Sequence, residues 1–113
     1  MTDLAAWLLA QIAEDERVAR IAGRYVMEWG ATEFEVGGGP YRAVCESSDY
    51  GSDPLEHIAR HDPARVLADC AAKRWLVDLS VHGCGDDYER VQRALAMPYA
   101  DRPGYRAEWA VGT

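Results

Sequence analysis

The chain has 113 residues, 49% of them hydrophobic, which is one domain's length with enough apolar residues for a core; a wholly disordered chain is excluded. Nineteen acidic residues against twelve basic ones give a net charge of −7. That balance argues against a general nucleic-acid binder, which must neutralise phosphates, and against attachment to an anionic membrane surface.

No apolar run approaches the ~20 residues of a membrane span, and the N-terminus is acidic rather than that of a signal peptide. A cytoplasmic protein is expected. Three cysteines, Cys45, Cys70 and Cys84, are too few and odd in number for a disulfide scaffold, so reduced thiols are expected. Eleven of the twelve basic residues are Arg and only Lys73 is Lys, which reads as coding bias rather than mechanism.

In chain order, Asp3 to about Arg24 reads as a helix capped by Thr2 or Asp3. Leu4, Trp7, Leu8 and Ile12 fall at helical spacing, followed by Val18, Ile21 and Tyr25, and Gly23 supplies a stop. Tyr25–Trp29 is rich in strand formers, and Thr32–Val36 alternates as a half-buried strand does. Gly37-Gly38-Gly39-Pro40 reads as a turn, from which Tyr41–Cys45 returns antiparallel. Ser47–Asp53 is a loop. Asp53-Pro54 and Asp62-Pro63 are paired helix starts, with Asp as cap and Pro at the first helical position. They open a short helix to about Arg60 and a long one to about Val81.

The long helix carries Val66, Leu67, Cys70, Ala71, Trp75, Leu76, Val77 and Leu79, a wide apolar face expected at the centre of the core. Gly83-Cys84-Gly85 breaks it, a further helix runs from about Asp86 to Ala96, and Pro98 ends that one. The tail holds Tyr99, Tyr105 and Trp109 with few aliphatics, so it is expected to fold back onto the long helix near Trp75 or the first helix near Trp7. These elements make a single domain over 1–113. It is α+β, mostly helical, with a small two- or three-stranded antiparallel sheet.

Chemistry is sparse. His57 and His61 lie at i and i+4, so a helix puts both imidazoles on one face. With His82 and Cys84 they make a countable set of zinc ligands. The same histidines also read as residues that cap and pack at the bend between two helices. His82 and Cys84 are neighbours, and sequence neighbours seldom supply the geometry of a thiolate and its base. The glycines at 37–39 do not lead from strand into helix and lack a following Lys-Ser/Thr, so a phosphate cradle is rejected. No catalytic set is found, and no enzymatic activity or obligatory cofactor is expected. Tyr99, Tyr105 and Trp109 are either core anchors or an interaction surface, since Tyr and Trp serve both. Glu14-Asp15-Glu16 and Asp86-Asp87 read as solvated faces, with acidic mimicry of DNA as a lesser alternative.

Two stretches, His57-Ile-Ala-Arg-His-Asp-Pro-Ala-Arg-Val-Leu67 and Leu95-Ala-Met-Pro-Tyr-Ala-Asp-Arg-Pro-Gly-Tyr-Arg-Ala-Glu-Trp109, resemble a domain-of-unknown-function family of small acidic proteins. Its members come from Streptomyces, related actinobacteria and their phages, with typical forms HIARHDPARVL and LALPYADHPDYREEW. Many relatives look richer in cysteine before the second motif, like a zinc knuckle; here only Cys84 stands in that region, beside His82. The resemblance carries no activity. It implies a phage- or prophage-type accessory protein whose partner is an unidentified host or phage protein, with a homodimer left open. Zinc bound through His57 and His61 is the alternative.

Overall fold

The computed structural model describes residues 2–32, 34–39, 42–46, 53–83 and 85–112. Among them are four helices, α1 (Asp3–Ala22), α2 (Asp53–Arg60), α3 (Pro63–His82) and α4 (Asp86–Ala96). Three strands, β1 (Gly30–Ala31), β2 (Glu35–Gly39) and β3 (Arg42–Glu46), form one antiparallel sheet in the order β1-β2-β3. The mostly helical α+β class expected from the sequence is the observed one. The chain packs as two compact units, one of residues 1–14 with 70–113 and the other of residues 15–69.

In the first unit, α1 begins where Thr2 accepts the Ala5 N–H on its hydroxyl at 3.1 Å, which makes Thr2 the cap. Leu4, Ala5, Leu8 and Ile12 are buried along one stripe of α1, and Cys70 and Val77 are buried on α3. The buried Cys70 thiol donates a weak hydrogen bond to the Ile12 carbonyl at 3.9 Å. A polar chain crosses this core. Ser80 Oγ donates to the Val77 carbonyl at 2.7 Å, Gln92 Nε2 donates to Ser80 Oγ at 2.9 Å, and Thr2 Oγ1 donates to Gln92 Oε1 at 3.3 Å. Three helices are thereby tied by groups that satisfy one another, which is what burial of polar atoms requires.

After α4, Pro98 sits in a 3-10 turn (Met97–Tyr99), and successive tight turns bring the tail across α1. Gly104 has φ +88°, the left-handed region that glycine tolerates, and a Cβ there would lie 2.7 Å from the indole nitrogen of Trp7. That indole N–H donates to the Pro103 carbonyl at 3.1 Å. Trp7, Tyr105 and Trp109 form a three-ring cluster with centroid separations of 5.4 to 5.8 Å, the tilted and edge-on contacts that aromatic quadrupoles favour. Of the two docking points expected for the tail, Trp7 receives it.

In the second unit the backbone departs from the sequence reading for identifiable reasons. Tyr25–Trp29 is not a strand, because its backbone groups are bonded elsewhere: the Trp29 N–H donates to Asp62 Oδ2 at 3.0 Å, and the Met27 carbonyl accepts from the Ala64 N–H at 3.0 Å. A turn forms at Thr32–Glu35, inside the stretch expected as a strand, while β3 does return antiparallel directly after the glycines, Gly39 pairing with Arg42. Thr32 Oγ1 accepts from the N–H groups of Phe34 and Glu35, and the Thr32 N–H donates to the Glu35 carbonyl at 2.9 Å. Gly37, Gly38 and Gly39 lie inside β2, where the pairing with β3 shifts register. Gly38 is needed there because residues 26–28 cross it: a Cβ would lie 2.6 Å from the Glu28 carbonyl oxygen. Gly23 is likewise a close approach, its would-be Cβ 2.7 Å from Pro63.

Helix α2 lies against β1 and β2, burying Leu55, and Val36 is the buried residue of the sheet. Asp53 is itself the first residue of α2 rather than its cap, and position 52, like the rest of the expected 47–52 loop, falls outside the described residues. Asp62 does cap α3, accepting the Arg65 N–H at 2.8 Å, with Pro63 at the first helical position.

Candidate functional site

The histidine pair is built by the end of α2. His57 and His61 stack with ring centroids 4.4 Å apart, both exposed. The His57 carbonyl lies 2.7 Å from His61 Nδ1, so Nδ1 carries the proton of that bond and the Nε2 lone pair is left outward. His82 repeats the arrangement, with Nδ1 2.8 Å from the Asp78 carbonyl and 3.4 Å from the Asp78 carboxylate. The structure brings His57 and His61 together at the end of α2, and His82 ends α3. Cys84 lies outside the described residues. Among the described residues no group of three or more His, Cys, Asp or Glu is placed to hold a metal ion.

The aromatic tail is folded inward. Tyr99 is 2% and Trp109 6% exposed, and Tyr105 is half-buried. The guanidinium of Arg102 stands 4.6 Å from the Tyr99 ring centre, and its Nη1 reaches Gln11 Oε1 at 3.3 Å. Lys73 Nζ lies 2.8 Å from the Tyr99 hydroxyl and 4.8 Å from the ring centre. The shorter distance identifies the contact as a hydrogen bond at the ring's edge rather than a cation over its face. These aromatics therefore hold the unit together and leave little surface for a partner, apart from the rim of Tyr105.

Sequence reasoning misplaced two groups: Val18, Ile21 and Tyr25, expected to continue the apolar spacing of the first helix, are 51%, 52% and 68% exposed, and the second is centred on Trp75. Expected at the centre of the core, it is 69% exposed, with Leu79 55% and Leu76 41% exposed beside it on α3. Ala71 and Ala72 are exposed one turn earlier. A helix turns about 100° per residue, so Trp75 and Leu79 stand about 140° and 180° around from Cys70. The eight apolar residues of α3 are thus two stripes. One, with Cys70 and Val77, is buried, and the other faces solvent. Counting azimuths instead of apolar residues separates them in the sequence itself.

The second unit holds an open cleft of about 900 Å³ walled by Trp29–Thr32 on one side and Glu56, Arg60, Asp62 and Arg65 on the other. Its charges are already committed. Arg60 pairs with Glu56 at 2.8 Å, Arg65 with Asp69 at 3.1 Å, and both Asp62 oxygens accept backbone N–H groups. Thr32 Oγ1 is used by its own turn. No helix among the described residues is long and apolar enough to cross a membrane.

The chain belongs to a family of unknown function, DUF6221, whose model matches residues 1–111. No curated protein and no solved structure matches it significantly.

Proposed function

We propose that this is a non-enzymatic accessory protein that acts by contact with another protein chain, and that the outer face of α3 is the contact. The observation that carries this reading is the exposure of Trp75 together with Leu76 and Leu79 on one regular helix. Single exposed apolar residues are ordinary, but a contiguous Trp–Leu–Leu patch on a helix marks an interaction site, and Trp is the residue type most enriched at interface hot spots. The resemblance to actinobacterial and phage proteins suggests a host or phage protein as the setting for such a contact. A photo-crosslinking residue at position 79 tests the reading in cells that make the protein. Crosslinking to protein that is lost on Trp75→Ala is expected; no crosslinked product, or one indifferent to Trp75→Ala, refutes it.

A second reading, a divalent metal held by His57 and His61, is favoured by one observation: the 2.7 Å bond at His61 Nδ1 leaves Nε2 as an outward ligand atom. Elemental analysis of protein purified without a His tag tests it. Stoichiometric zinc lost in His57→Ala/His61→Ala is the supporting result.

A further inference from the structure

We infer that the occupant of the α3 face is a second copy of this chain, laid antiparallel across a two-fold axis to form a weak, reversible dimer. The inference rests on the contact reading above and names its partner.

The face is graded along the helix. Ala71 and Ala72 leave a shallow floor on one turn, and Trp75, Leu76 and Leu79 project over the next two. Two identical helices meeting in parallel would set large against large and small against small. Antiparallel, with the two-fold axis between positions 73 and 74, Trp75 of each copy falls opposite Ala72 of the other, and Leu76 falls level with Ala71. One surface then supplies both knob and hole, as an isologous interface must.

The area sets the strength. Buried aromatic side chains bring 150–250 Å² each, so Trp75 at its observed exposure with the two leucines offers roughly 300–400 Å² per copy. A standard stable interface takes about 800 Å² from each partner. The face therefore supports at most a dimer in the weak, transient class. A net charge of −7 on each copy adds repulsion that salt screens, so added salt should tighten it.

Sedimentation equilibrium on the full chain from about 10 μM to 1 mM is the test. Monomer at the low end and dimer at the high end are expected, with the dissociation constant raised at least tenfold by Trp75→Ala/Leu79→Ala. The decisive variant is Ala72→Phe. It adds apolar surface yet fills the hole, so it too should weaken the dimer at least tenfold, with unchanged far-UV circular dichroism because position 72 is exposed. A chain that stays monomeric at 1 mM overturns the inference, as does a dimer that Trp75→Ala/Leu79→Ala leaves intact or that Ala72→Phe preserves or tightens. If the purified chain is monomeric while position 79 crosslinks to a different protein, the dimer fails and the contact reading stands.

Discussion

Asp62→Ala should cost more than a helix cap is worth. A cap substitution of this kind removes about 1 kcal/mol. Here the carboxylate does two things: Oδ1 accepts the Arg65 N–H at the start of α3, and Oδ2 accepts the Trp29 N–H just ahead of β1. Losing the second bond strands a part-buried backbone donor, worth a further ~1–2 kcal/mol. The total is about 2–3 kcal/mol, a large share of the roughly 5–15 kcal/mol that holds a domain folded. Asp62→Asn separates the two roles. Asn caps helices about as well as Asp, but it offers one oxygen and a donor NH₂ in place of two acceptors. If both bonds matter, Asn should lie between Ala and the native chain, down about 1 kcal/mol. Urea unfolding followed by tryptophan fluorescence reads both variants. An Asn variant as stable as the native chain, or an Ala variant down by only about 1 kcal/mol, would show that the tie to Trp29 contributes nothing.

The tail offers a matched test at two glycines. Gly85 and Gly104 both have positive φ, but the space around Gly85 is open whereas Gly104 lies against Trp7. Gly85→Ala should cost ~1–3 kcal/mol for the backbone alone, since φ 104° with ψ 171° is a region that only glycine adopts readily, and Gly104→Ala adds the clash with Trp7 to its own backbone cost; both are read from their urea midpoints. Trp109→Ala should lose about 3–5 kcal/mol, and a chain truncated after Tyr99 should no longer melt cooperatively; a melt within a few degrees of the native one would mean that the ring cluster is not structural. Gln92→Ala should cost about 1–3 kcal/mol by leaving the Thr2 and Ser80 hydroxyls short of a buried partner, measured by thermal unfolding.

Local chemistry that is complete within a few residues was legible in the sequence. Asp62-Pro63 announces a capped helix wherever the chain goes, and α3 begins there. Glycine breaks helices, so the ends of α3 and α4 follow from 83–85 and from Pro98. What failed depended on partners far along the chain. Tyr25–Trp29 has strand formers, but its amide and carbonyl groups are claimed by the start of α3, more than thirty residues later. The glycine run at 37–39 does precede the antiparallel return of β3, but the glycines themselves lie in β2, where Gly38 is closely crossed; Thr32–Val36, expected as a strand, opens instead with a turn that Thr32 ties by two side-chain bonds. Sequence gives the conformations glycine permits; only the fold says whether it is there for its φ or for its missing Cβ.

The candidate site follows the same division. The i, i+4 spacing correctly put His57 and His61 together, since that is a property of one helical turn. His82 was grouped with them by residue type, and among the described residues no third ligand joins the pair. Trp75 is the instructive case. Apolar residues on a helix are ordinarily taken as core, but a helix has one azimuth per position, and a single core can face only one side of it. Cys70 and Val77 occupy the buried side of α3, so Trp75 and Leu79, about 140° and 180° away from Cys70, must face something else. An aromatic residue kept in water exposes apolar area that burial would stabilise at ~25 cal/mol per Å². A chain that already buries Trp109 against Trp7 shows that its fold can place tryptophan inside; leaving Trp75 and two leucines outside on one regular helix is therefore the observation on which the proposed contact rests.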